Sequence, residues 1–188
     1  MNFFLLFVLA HLLGDYPLQT NWVYRQKLSG LLGVSWHAAI LALCYAAVLL
    51  PYLANWQILA LLMILTLTHG IQDHLKVTLV DKRKRLAPVP GLLLDQLAHL
   101  LLLVGAAVWI DSLQLQAAFS NPFVEQMHSR PVLLYLIVLL LSTFAWSVIK
   151  HVWNIAKSPH SGLRYGWKAL LLRGLAVTVV FALIYLVG

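Results

Sequence analysis

The feature that most limits the fold of this chain is a series of six stretches, each close to the roughly 20 apolar residues that a helix needs to cross a bilayer. The chain has 188 residues, of which 62% are hydrophobic and only 10% charged, whereas soluble domains have about 25% charged residues. We therefore expect an all-α polytopic membrane protein. It would form a bundle of about six transmembrane helices, in a single transmembrane domain over residues 1–188. The expected spans cover about residues 2–22, 30–54, 56–78, 91–111, 131–153 and 167–187.

The first stretch is the least regular of the six. Its apolar run ends near Leu13, and Asp15, Pro17 and Gln19 follow. Proline breaks helices, and polar groups at membrane depth need protein or a water-filled cavity around them. We predict a first helix that is short or broken at Pro17, with the remainder lining a polar cavity. A signal peptide is not expected, because no basic segment precedes the run and no clear cleavage site follows it.

The basic residues are divided unevenly between the connections, and the net charge is +7. Positively charged loops stay in the cytoplasm, so we expect both termini outside. The run Lys82–Arg85 is interpreted as an orientation signal that contacts anionic lipid headgroups, rather than as a nucleic-acid site. Apart from Arg130 and Arg173, every Lys and Arg falls on the cytoplasmic side: Arg25, Lys27, Lys76, Lys82, Arg83, Lys84, Arg85, Lys150, Lys157, Arg164 and Lys168.

Three segments inside the apolar stretches each place a histidine and an aspartate four residues apart, which puts both on one face of a helix. Ionisable residues at membrane depth are costly and usually functional. With a rise of 1.5 Å per residue, the histidines lie roughly 10–14 Å above the cytoplasmic face, and the aspartates about 4–8 Å. We therefore expect one polar site in residues 1–100. It is built from His11 and Asp15, His69 and Asp73, Asp95 and His99, together with the isolated His37.

This combination of side chains suits a divalent metal, and zinc is our first choice, because imidazole and carboxylate are its common ligands. The candidate ligands are all seven residues of the expected site. A metal-bound water would then be the nucleophile, and Asp15, Asp73 or Asp95 the general base. Gln19, Lys76 and Gln96 are candidates for binding the substrate. The hypothesis is a metal-dependent hydrolase that acts on a lipid-linked or small phosphoester or amide.

Other functions use the same residues or different ones. A transporter or channel component for a metal ion or proton-coupled solute would use the cluster as a relay, and a purely structural polar network is the plainest alternative. An assembly protein, or a homodimer through the small residues Gly174 and Ala176 of span six, is a third alternative. Lys150 and Arg173 either snorkel to the interface or attract an anionic headgroup. No Gly-rich phosphate loop, serine elbow or His-Glu-x-x-His helix is found, and Ser35 is only a weak nucleophile candidate.

The motifs resemble those of an uncharacterised family of small bacterial inner-membrane proteins, known as domain of unknown function 3307. The resemblance covers roughly the first hundred residues. It implies a multi-pass protein of the bacterial inner membrane and supplies no activity. The matching segments are Ala10-His11-Leu-Leu-Gly14-Asp15-Tyr-Pro-Leu-Gln19, then His37, then His69-Gly-Ile-Gln-Asp73-His-Leu-Lys76, and finally Leu94-Asp95-Gln96-Leu-Ala-His99.

Overall fold

The computed structural model describes residues 3–81, 88–157 and 166–187, and the regular structure within these ranges is entirely helical. The expected all-helical bundle is therefore confirmed. The basic run Lys82–Arg85, together with His160 and Arg164, lies outside the described residues.

The chain starts with a short helix, as the sequence predicts. Helix α1, Phe3–Asp15, has 13 residues and is about 20 Å long, against a bilayer core of about 30 Å. The chain then turns through Pro17, and helix α2 runs over Asn21–Ser29. The side chain of Thr20 caps α2 by accepting a hydrogen bond from the Val23 N–H at 3.3 Å. The first predicted span is thus a short helix followed by a turn and a second, polar helix.

Five longer helical segments follow, each long and apolar enough to cross a membrane. Helix α3, Leu31–Val48, and helix α4, Trp56–Leu75, are joined through a 3-10 turn at Leu50–Tyr52 and pack as an antiparallel pair. A π-helical turn, Lys76–Asp81, continues α4. Helix α5 is Pro88–Ser112 and the short α6 is Pro122–Met127. Helix α7, Arg130–Leu140, runs through a π turn, Leu141–Ala145, into α8, Trp146–Lys157, and α9 is Trp167–Val187.

The short helix α1 is the centre of the bundle and packs against α3, α5 and α7. Its side chains are buried on several sides, with Phe3, Phe7 and Ala10 at most 1% exposed. Phe7 meets Tyr45 of α3 edge to face, with ring centroids 6.3 Å apart. Because α1 is enclosed by its neighbours, the polar residues at its C-terminal end are also enclosed.

The junction between α2 and α3 depends on two glycines. Gly30 joins the helices with φ of 139°, a conformation that side chains other than glycine rarely adopt. A Cβ at Gly33 would lie 1.7 Å from the main-chain oxygen of Gln26, so only glycine fits where α2 crosses α3. These two glycines allow α2 to pack closely against the bundle. The Lys27 side chain of α2 then reaches Asp73.

Candidate functional site

All four predicted histidines come together in the structure. They lie toward the end of the bundle where α1 and α4 end and where α3 and α5 begin, called the polar end below. Their exposed fractions are 5% or less. The ring centroids of His69 and His99 are 4.2 Å apart, and those of His11 and His69 are 5.5 Å apart. The predicted clustering of residues from four helices is therefore present.

The centre of the cluster contains two histidine nitrogens and two carboxylate oxygens. His37 Nε2 and His69 Nε2 are 3.2 Å apart. Asp15 Oδ1 lies 3.1 Å from the His37 nitrogen and 3.5 Å from the His69 nitrogen. Asp73 Oδ2 lies 3.4 Å and 3.3 Å from the same two nitrogens. These four residues are called the His/Asp centre below.

Hydrogen bonds within the protein can satisfy only some of the close contacts in this centre. The amide nitrogen of Gln19 adds a further neighbour 3.4 Å from His37 Nε2. A neutral imidazole nitrogen carries either one N–H or one lone pair. One such atom cannot serve a second imidazole nitrogen, two carboxylate oxygens and an amide nitrogen together. A positively charged species between these atoms would satisfy several of them at once.

His11 and Gln96 support the Asp15 carboxylate from the opposite side. His11 Nε2 is 3.6 Å from Asp15 Oδ2, and Gln96 Nε2 donates to the same oxygen at 3.3 Å. Gln96 Oε1 in turn lies 3.4 Å from His11 Nε2 and accepts from the Tyr16 hydroxyl at 3.2 Å. These bonds orient Asp15 toward the His/Asp centre. No pattern in the sequence distinguishes Tyr16, the residue directly after Asp15.

Asp95 and His99 lie beside the centre rather than within it. The Asp95 carboxylate pairs with Lys76 Nζ at 3.0 Å. The His99 Nδ1–H donates to the main-chain oxygen of Asp95 at 2.7 Å, which leaves His99 Nε2 as an acceptor. That atom is buried and makes no hydrogen bond to any described residue. Asp15 and Asp73, by contrast, lie among the imidazoles, with carboxylate oxygens 3.1–3.5 Å from the His37 and His69 nitrogens.

Lys27, which the sequence predicts to lie in a cytoplasmic loop, also belongs to the cluster. Lys27 of α2 is 4% exposed, and its Nζ lies 2.5 Å from Asp73 Oδ1. Charge balance alone predicts such a residue. Three buried aspartates need nearby cations, and Lys76 can supply only one cation.

Other candidates lie away from the centre. His128 stacks on Tyr52, with ring centroids 6.2 Å apart, and burial lowers the pKa of its imidazole. Ser35 is exposed, and its hydroxyl donates to the Leu31 carbonyl at 3.0 Å. Gly174, proposed for a homodimer, faces Leu139 of α7 at 3.7 Å from where its Cβ would be. The homodimer itself stays a prediction.

A protein-family model matches about two thirds of the chain. The chain belongs to the family described as Protein of unknown function (DUF3307). The match covers residues 3–128, which include α1 to α6 and every residue of the cluster, and it confirms the resemblance expected from the motifs. No curated protein and no solved structure matches the chain. Because the family description names no activity, a function has to be argued from the geometry of the site.

Proposed function

We propose that the His/Asp centre binds a divalent metal ion, zinc in the first instance, and that the protein is a metal-dependent membrane hydrolase. Its substrate would be a lipid-linked or small phosphoester or amide. We also propose a location in a bacterial inner membrane with both termini outside. The distribution of basic residues and the family resemblance support this location.

The observation that carries the proposal is the spacing of the four central atoms. Two ligands of a tetrahedral zinc ion at 2.0–2.1 Å lie about 3.3–3.4 Å apart. Five separations in the centre fall between 3.1 and 3.5 Å. A triangle with sides of about 3.3 Å has its corners about 1.9 Å from its middle, so His37, His69 and Asp73 would hold an ion of this size.

The neighbouring residues suit hydrolysis. A bound ion of this kind supplies Lewis acidity and lowers the pKa of a coordinated water to about 7. Asp15 is held by Gln96 and His11 at the edge of the centre, where its carboxylate can accept a proton. His99 Nε2, which has no hydrogen-bond partner among the described residues, is a second proton acceptor. The ring centroids of His99 and His69 are 4.2 Å apart.

Substrate would approach from the polar end of the bundle. The Lys76 side chain is 20% exposed there, and Gln19 and Gln96 are neither fully buried nor distant from the centre. One cation and two amides can hold a phosphoryl or carbonyl oxygen. In the opposite direction the cluster is covered by a buried apolar core, which includes Phe7, Leu65 and Leu103. This core excludes water and strengthens the electrostatic interactions inside the site.

A proton-coupled transporter is the second candidate, and the Lys27–Asp73 ion pair favours it. Buried lysine–aspartate pairs within a membrane can exchange protons with a solute pathway and need no metal. The apolar core beyond the cluster counts against this alternative, since a pathway would have to open through Phe7, Leu65 and Leu103. We therefore rank transport below hydrolysis.

The test is metal-dependent hydrolysis by the purified full-length chain in detergent. Bound metal is removed with a chelator and zinc is restored, with an aryl phosphodiester, an aryl amide and phosphatidylglycerol as probes. We expect turnover only after zinc is restored, and loss of turnover in His69→Ala but not in the matched variant His128→Ala. Zinc-independent turnover, or equal turnover in both variants, contradicts the proposal. Proteoliposome uptake of a cation that depends on His37 and Lys27 would instead support transport.

A further inference from the structure

Arg173 is a second polar feature within an apolar span and does not belong to the His/Asp cluster. It lies six residues into α9, in the segment Trp167–Tyr185, and is half-buried. Its Nε donates to the Ala169 carbonyl at 3.0 Å. Its Nη1 donates to the carbonyls of Ser142 and Thr143, at 3.1 and 3.3 Å. These two carbonyls belong to the π turn Leu141–Ala145, where the helical bonding pattern changes and carbonyls become available. The position of the guanidinium is therefore fixed.

These contacts solvate the guanidinium without neutralising its charge. The sequence contains no Asp or Glu after Glu125, and Arg173 makes no ion pair with any described residue. The aspartates of the cluster are already engaged, Asp73 with Lys27 and Asp95 with Lys76. A charge in a low-dielectric setting is costly unless a counter-ion accompanies it. No ion pair among the described residues neutralises Arg173, so an anion from outside the chain would complete its surroundings.

The surroundings of Arg173 add positive charge. Ser147 Oγ lies 3.4 Å from Arg173 Nη1, and Lys150, three residues further along α8, lies on the same face of the helix. Lys150 and Lys168 are both exposed. The Arg173 Nη2 makes no hydrogen bond to the described residues, so its N–H groups are available to a ligand. An N–H group on a charged guanidinium forms strong hydrogen bonds with phosphate oxygens.

The depth of this group indicates a lipid rather than a soluble anion. Arg173 lies about 9 Å along the helix from Trp167. Trp167 is 72% exposed and Trp153 of α8 is 54% exposed, and tryptophan concentrates where a membrane meets water. We propose that Arg173 and Lys150 bind the phosphate of an anionic lipid headgroup, in the space between α8 and α9. This site is separate from the proposed hydrolase centre and does not depend on it.

The test measures lipid binding to the detergent-solubilised full-length chain by native mass spectrometry. Phosphatidylglycerol is compared with phosphatidylcholine carrying the same acyl chains. We expect Arg173→Gln to weaken phosphatidylglycerol binding about tenfold, since it removes charged hydrogen bonds. Lys150→Gln should weaken it about fivefold. The matched variant Arg130→Gln, an exposed arginine at the start of α7, should leave it unchanged. Phosphatidylcholine carries the same phosphate with a choline cation beside it, so its binding should be weaker and should depend less on Arg173.

Arg173 also holds the π turn, so circular dichroism should confirm that Arg173→Gln is folded. If Arg173→Gln does not fold, the lipid affinities of Lys150→Gln and Arg173→Lys test the proposal instead. Lys150→Gln leaves the π turn intact, and Arg173→Lys keeps the positive charge. The proposal is overturned by unchanged phosphatidylglycerol binding in the folded variants, or by an equal loss in Arg130→Gln. It is also overturned if inorganic phosphate displaces the lipid, which would show that the site takes a soluble anion.

Discussion

Lys27 and Asp73 form an ion pair inside the bundle, with Nζ 2.5 Å from Oδ1 and both side chains no more than 5% exposed. The pair connects α2, a polar helix outside the five long spans, to α4 at the His/Asp centre. Removing one partner of such a pair leaves the other charged and buried, which costs more than the intact pair contributes. Lys27 therefore has an energetic role that its position in a predicted loop did not indicate.

Replacing Lys27 with methionine should destabilise the protein by about 3–5 kcal/mol, because Asp73 keeps its charge and loses its cation. Denaturant unfolding in detergent micelles measures the change. Arg25→Met, an exposed position on the same helix, should change the free energy of unfolding by less than about 0.5 kcal/mol. The double variant with Asp73→Asn should recover part of the loss, and a purely additive result would show that the two side chains do not interact.

Gly33→Ala should disturb the same contact through the backbone. The added Cβ would lie 1.7 Å from the Gln26 oxygen, so α2 has to move and withdraw Lys27 from the cluster. We expect the free energy of unfolding to fall by about 1–3 kcal/mol. Gly105→Ala on α5 is the control, since its Cβ would meet nothing within 4 Å. A similar melting temperature for the two variants would show that α2 does not pack as described.

The two aspartates Asp15 and Asp95 should differ in their effect on metal binding. Asp15 contacts both central histidines, whereas Asp95 is held by Lys76. Asp15→Asn should weaken zinc affinity by roughly 10–100-fold, and Asp95→Asn by clearly less. Competition with a coloured chelator measures both affinities. The reverse order would place the ion near Asp95 and His99 instead.

The proposed orientation can be tested with single cysteines in a Cys44→Ala background. Lys84→Cys, which lies outside the described residues, should react with a membrane-impermeant reagent only after the cytoplasmic side is opened. Phe123→Cys on α6, where the native side chain is 71% exposed, should react from the outside in intact cells. Labelling with the opposite pattern would invert the topology.

The sequence was sufficient to predict most of the fold, because length and hydropathy define membrane helices almost without reference to tertiary contacts. The break after Asp15 followed from Pro17 and the loss of apolar residues. Four-residue spacing similarly predicted that Asp15 and Asp73 would share faces with His11 and His69. The spacing argument applies within one helix and does not predict contacts between helices. Asp15 lies nearest to His37 and His69, which are on other helices.

The role of α2 could not be predicted from periodicity or hydropathy. The α2 sequence is polar, so it predicts a cytoplasmic loop. Its position depends on backbone approach at Gly33 and on a single buried charge at Lys27. Both are tertiary effects, because a glycine in sequence does not show which main-chain oxygen it approaches.

The central claim is that His37, His69 and Asp73 hold a metal ion. Elemental analysis of the full-length chain, purified without a histidine tag and dialysed against metal-free buffer, tests it most directly. We predict about one zinc or other transition-metal ion per chain, lost in His37→Ala and His69→Ala and retained in His128→Ala. A folded wild-type protein that contains no transition metal and takes up none when zinc is supplied would contradict the claim.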